Sequence, residues 1–157
     1  MSSVHEPVAA IVIGVGNSWG GDDAVGLRVI ERLRDRVPAG VALAQHEGEP
    51  TTLLDLWEGA RAAIVVDAVS AGGEPGEVSR YDASERALPS SFTGGSTHAF
   101  SVAQAIELGR TLGRLPERVV VVGVEGAHFG SGTSISESTA RGVEPAARAV
   151  LDALAGG

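Results

Sequence analysis

The chain has 157 residues, 43% of them apolar, which suffices for one covered core, and no break in patterning marks a second unit, so residues 1–157 read as a single domain. A formal charge of −8, with no Lys and no run of Arg, lacks the basic footprint that nucleic acid or an anionic membrane requires. The absence of Cys removes thiol nucleophiles, disulfides and thiolate metal sites, and fits a reducing compartment. With no secretory pattern in the first ten residues and no apolar run near the roughly 20 residues of a membrane helix, a cytoplasmic protein is expected.

Residues 8–13, "VAAIVI", form a short apolar run that stops at glycine, as in a strand buried on both faces. From Asp22 onward Val25, Val29, Ile30, Leu33 and Val37 fall on one helical stripe, which Pro38 and Gly40 close. "VALAQ" at 41–45 reads as strand, "TTLLDLWEGA" at 51–60 as a short helix and "AAIVVDAV" at 62–69 as another buried strand. Such alternation implies a parallel sheet. The connection 70–76 is too short for a parallel crossover, so "EVSRYD" at 77–82 is expected to run antiparallel. Residues 83–97, rich in Ser, Gly and Pro, read as an exposed loop; a helix follows from His98, then the strand "RVVVVGV" at 118–124 and a closing helix within 136–155. The result is an α/β fold with a mixed, mostly parallel five-stranded sheet and one antiparallel strand.

The glycine turn after the first strand lies where dinucleotides bind in such folds. Its glycines at 14, 16, 20 and 21 do not give G-x-G-x-x-G, and Asp22 and Asp23 put negative charge where a pyrophosphate would dock. A nucleotide-binding module is therefore the weaker alternative. One acid, Asp22, is expected to cap the helix; a helix N-terminus would keep the other, Asp23, ionised and able to bind a cation or act as a base. Asp67 interrupts a buried strand near its carboxyl end, which is costly unless the carboxylate is paired or functional, and that end opens on the same sheet edge as the glycine turn. His98, at a junction of loop and helix, stands apart from His5, in a ragged terminus, and from His46 and His128, which read as loop residues without an evident carboxylate partner. There is no G-x-S-x-G elbow and no H-E-x-x-H pair. Two Asp and one His from three loops suit a divalent-metal site with open positions, of the kind nickel or zinc accepts.

"VIGVGNSWGGDDAVGLRVIERL", "IVVDAV" with "GGEPGEV", "STHAFSVAQAIEL", and "VVVVGVEG" leading into "GTSISESTARGV" together resemble the hydrogenase maturation proteases, over about residues 9–154. The resemblance implies a three-layer sandwich with helices on both faces of the sheet, and a monomer that removes the C-terminal extension of a hydrogenase large-subunit precursor. It also implies that Asp23, Asp67 and His98 recognise nickel and carry the catalysis. The nickel would come with the substrate rather than reside in the enzyme, and the turn's glycines would clear space for the partner's metal cluster. Water would be activated by Asp23, by Asp67 or through the metal. A non-catalytic nickel-sensing chaperone for the same precursor is the alternative. Two departures stand out: position 23 is Asp where many members have Glu, and "HEGEP" at 46–50 replaces the D-G-G-T sequence common after the second strand, which bears on substrate identity more than on reaction type.

Overall fold

Five strands, β1 (Ala10–Val15), β2 (Val41–His46), β3 (Ala62–Val69), β4 (Val78–Asp82) and β5 (Arg118–Glu125), form one sheet in the order β2-β1-β3-β5-β4. The structure is a computed structural model that describes residues 9–89, 92, 97–130, 132 and 134–156, with the backbone alone for 97–100. Strands β1, β2, β3 and β5 are mutually parallel, and β4 pairs antiparallel with β5. The short 70–76 connection accounts for that reversal, since a tight turn cannot carry the chain back to the starting edge of the sheet.

Alternation along the strands builds the layers, because successive side chains point to opposite faces. Ile11, Ile13, Val15, Ala63, Val65, Val69, Val119 and Val121 meet Leu53, Leu54 and Trp57 of α2 (Pro50–Trp57) and Val102, Ala105 and Ile106 of α3 (Thr97–Leu112). On the other face Val12, Ile64, Val66, Val120 and Val122 meet Val25, Val29, Ile30 and Leu33 of α1 (Val25–Leu33) and Ala146, Ala147, Val150 and Ala153 of α5 (Val143–Leu154). The central strands are apolar at nearly every position because both of their faces are covered. Among the described residues, no helix is long and apolar enough to cross a membrane.

Several boundaries differ from the sequence reading, among them the end of α1 at Leu33 rather than near Val37 and that of α2 at Trp57 rather than at residue 60. The first strand starts at Ala10, and a 3-10 turn (Gly21–Ala24) carries both acids before α1 begins. The closing helix is two, α4 (Glu137–Ala140) and α5, divided at Gly142. A Cβ at Gly142 would lie 2.6 Å from the Gly76 carbonyl oxygen, so this break seats the chain against the β3–β4 loop. The predicted 83–97 loop lies in part outside the described residues.

All four parallel strands point their carboxyl ends to one edge, where the segments after β1, β2, β3 and β5 gather. Helix α3 reaches the same edge from the other direction. Its last residue, Leu112, lies shortly before Arg118 opens β5 at the amino edge. A 16-residue helix rises about 24 Å and an eight-residue strand about 26 Å. The first turn of α3, with position 98, therefore stands at the carboxyl edge.

Candidate active site

The space beside Gly14 and Gly16, where a side chain would stand, is taken by the chain's own backbone. A Cβ on Gly16 would collide with the Asp23 carbonyl, and one on Gly14 with the carbonyl of Gly26. The two glycines let the acidic turn and α1 lie directly on β1. What the close approach achieves is the placement of Asp22 and Asp23 over the end of the sheet.

Asp22 is wholly buried and does not cap the helix that follows; the 3-10 turn and α1 have no side-chain cap. Its carboxylate instead accepts from the backbone N–H groups of Ala127 (2.7 Å), His128 (2.9 Å) and Ser136 (2.6 Å). The hydroxyls of Ser136 (2.9 Å) and Thr139 (2.8 Å) donate to it as well. Its own N–H donates to the His128 carbonyl at 2.7 Å. Burial pushes the Asp22 carboxyl upward, but hydrogen bonds from Ser136, Ala127, His128 and Thr139 outweigh it and hold the pKa at about 2. Asp22 thus fastens the β5–α4 segment onto the turn after β1.

Asp23, the next residue, is half-buried on this fastened turn. Asp67 sits near the carboxyl end of β3, in register with Gly123 of β5, and is wholly buried. One of its oxygens, Oδ1, accepts from the Ala68 N–H at 2.8 Å. The other, Oδ2, is buried without a hydrogen-bond partner among the described residues. Desolvation, and then the charge of Asp23, push the Asp67 carboxyl well above the ordinary carboxylate range. The two acids chosen from sequence therefore share one electrostatic environment. Position 98 falls in the first turn of α3 and its side chain lies outside the described residues.

Two further polar groups at this edge were not singled out from sequence. Glu125 ends β5, is buried, and accepts from the N–H groups of Ala71 (3.0 Å) and Gly72 (3.3 Å), holding the β3–β4 loop. His46, read as a loop residue without a partner, is the last residue of β2. Its Nδ1 accepts from Gly48 N–H and its Nε2 lies 2.7 Å from the Thr52 hydroxyl. A proton on Nδ1 would break the Gly48 bond, and burial holds the His46 pKa below its usual value. The "HEGEP" segment is closed by Glu49, whose carboxylate accepts from Thr51 and Thr52 N–H and caps α2. Its only sequence signal was the spacing of an acid before Pro-Thr-Thr.

Fold and site together define an α/β protein with a buried, incompletely satisfied carboxylate at the carboxyl edge of its sheet. The chain belongs to the hydrogenase maturation protease family, whose model matches residues 27–153. It is 29% identical to the hydrogenase 2 maturation protease of Escherichia coli K12, over 92% of this chain and 89% of that protein. It is 31% identical to the hydrogenase expression/formation protein HupD of Bradyrhizobium diazoefficiens, over 73% of this chain and 61% of that protein. The chain thus spans about three fifths of the length of that relative. The solved structure of the E. coli hydrogenase maturating endopeptidase HybD superposes with a TM-score of 0.81 at 26% identity, covering 94% of this chain and 92% of that one. The α/β class, the mostly parallel sheet and the antiparallel strand agree with that fold.

Proposed function

We propose that the chain is an endopeptidase that removes the C-terminal extension of a hydrogenase large-subunit precursor carrying nickel, and that Asp23, Asp67 and His98 recognise that nickel. The observation that carries this reading is the unpartnered Oδ2 of Asp67, buried within the field of Asp23. A lone carboxylate oxygen in that position costs free energy that a cation would relieve. Membership in the protease family supports the reaction class, and similarity to the hydrogenase 2 maturation protease of E. coli supports a hydrogenase as the substrate.

The third ligand fits the topology. Residues four apart share a helix face, so position 98 lies on the stripe of Val102, which packs on the same side of the sheet as Val65 and Val69, the neighbours of Asp67. The nickel is cargo of the precursor, and its capture would place the scissile bond beside the two acids, so that recognition and positioning are one act. Because Asp67 is wholly buried, ligation requires the groups covering it to part as the precursor docks. Asp23, half-buried, is the acid with access to water, and we assign it the role of general base. The enzyme acts as a monomer in the cytoplasm, without a resident metal.

Mass spectrometry of a cognate large subunit, incubated with this protein with and without nickel, tests the reading. A shortened product that depends on nickel is expected. Capture of the precursor without shortening would identify a chaperone instead, and an unaltered product from Asp23→Asn would remove that residue from the site.

A further inference from the structure

The two edges of the sheet are built differently. The β4 edge, "VSRYD", carries Arg80 and Asp82, charges of the kind that discourage pairing with another strand. The β2 edge, "VALAQH", carries no Asp, Glu, Arg, Lys or Pro and ends at the same carboxyl edge as the candidate site. Main-chain polarity along β2 follows from one contact. The His46 carbonyl accepts from Gly16 N–H at 2.9 Å, so His46, Ala44 and Ala42 turn their main-chain groups toward β1. Val41, Leu43 and Gln45 therefore turn theirs outward. Val41 agrees, since its N–H donates off the sheet, to Pro38. Leu43 and Gln45 each offer an outward N–H and C=O, and Gln45 is exposed.

At the end of this edge stands Trp19, 74% exposed although it is the largest apolar side chain of the turn. Trp19 and Gln45 both line two hollows of about 310 and 450 Å³; Gly16 and His46 add to the first, Arg28 and Ile135 to the second. Trp19 also lies four residues before Asp23 on the same fastened turn, and its carbonyl accepts from Gly132 N–H. The outward edge of β2 and the hollows are thus continuous, and they end on the turn that carries Asp23.

Resting on the endopeptidase reading above, we infer that β2 receives the precursor's C-terminal extension as an added antiparallel strand, with an apolar side chain of that extension covering Trp19. Direction follows from the chemistry. The part of the precursor that bears nickel precedes the scissile bond, so the extension leaves the acids toward the amino edge, opposite to the run of β2. Each extension residue facing Leu43 or Gln45 would exchange both main-chain bonds with it. Affinity would then come from main-chain groups, and the identity of the extension would be read by the hollows.

The test compares Gln45→Pro with Gln45→Ala on the nickel-loaded precursor. Both variants lose the bond from Gln45 Nε2 to the Leu27 carbonyl, but only proline also removes the outward N–H while leaving the β1 ladder whole. Proline is expected to raise KM roughly tenfold above that of the alanine variant, which carries the loss of the side chain alone, with kcat little changed between the two. Equal KM for proline and alanine variants, with wild type active, would overturn the strand addition alone. No product from wild type would overturn the endopeptidase reading and this inference with it. If the proline variant fails to fold, amide exchange of the wild type with a synthetic extension peptide decides: slowed exchange at Leu43 and Gln45 supports the added strand, and unchanged exchange refutes it. A wild-type dimer in sedimentation equilibrium that Gln45→Pro converts to monomer would assign the edge to a second copy and also refute it.

Discussion

Asp22 and Asp67 are both wholly buried at the carboxyl edge of the sheet, yet their surroundings are opposite. Around Asp22, amides and hydroxyls from the β5–α4 segment and α4 converge until the carboxylate is more acidic than in water, at about 2. Around Asp67 one N–H donates, one oxygen has no partner among the described residues, and the nearby charge is Asp23. A saturated carboxylate returns its burial cost as structure, by tying distant segments together. An unsaturated one leaves that cost standing, which is how a fold holds affinity in reserve for a ligand.

The sharpest way to break this contrast is to neutralise Asp67 or the charge beside it, Asp23. Asp67→Asn and Asp23→Asn should each lower processing of a nickel-loaded precursor by about a thousandfold or more, roughly 4 kcal/mol, in a single-turnover assay read by mass spectrometry. Asp67→Asn should at the same time raise Tm at neutral pH, by roughly 2–4 °C. The raised pKa of Asp67 means the folded chain retains a proton that the unfolded chain releases. Stability therefore falls as pH climbs from the ordinary carboxylate range toward the raised value, and asparagine lacks that slope. A loss of Tm in this variant would place Asp67 with Asp22 as a structural acid.

Next in size, Asp22→Asn should destabilise the chain by about 2–4 kcal/mol in denaturant titration, because amides of Ala127, His128 and Ser136 lose a charged acceptor. The pH dependence of the wild type should follow the same group. A pKa lowered from 3.8 to about 2 gives stability that is complete above 3.8 and is lost as pH falls through about 2, amounting to about 2 kcal/mol. Acid titration of the unfolding midpoint should show this loss in wild type and not in Asp22→Asn. The smallest effect is expected from Ser136→Ala, which removes one hydroxyl from Asp22 and the cap of α4, about 1 kcal/mol by denaturant titration, with processing within about twofold of wild type.

Much of the fold was legible because strand and helix periods are local. The boundaries of β3 agree to the residue with the apolar run 62–69, and the short 70–76 connection announced the antiparallel β4. The apolar stripe Val25, Val29, Ile30 and Leu33 is the buried face of α1. The break at Gly142 was not legible, because its cause is a contact with Gly76, far away in sequence. At the site, Asp23 and Asp67 were chosen for residue type and place on the strands, and the structure brings them within one another's field. Glu125 was missed because its partners are backbone groups, which leave no mark in the sequence, and His46 because its partners are the Gly48 amide and the Thr52 hydroxyl rather than a carboxylate.

By itself, the sequence determined the elements, the direction of the strands and the carboxyl edge at which two acids had to meet, since hydrophobic period and loop length act over a few residues. Tertiary structure alone decided which buried acid is satisfied. The donors to Asp22 lie between 105 and 117 residues away along the chain, and no local pattern at "GGDDA" encodes their arrival. It also decided the work of the glycines, which clear room for the chain's own backbone so that the acids can reach the end of the sheet.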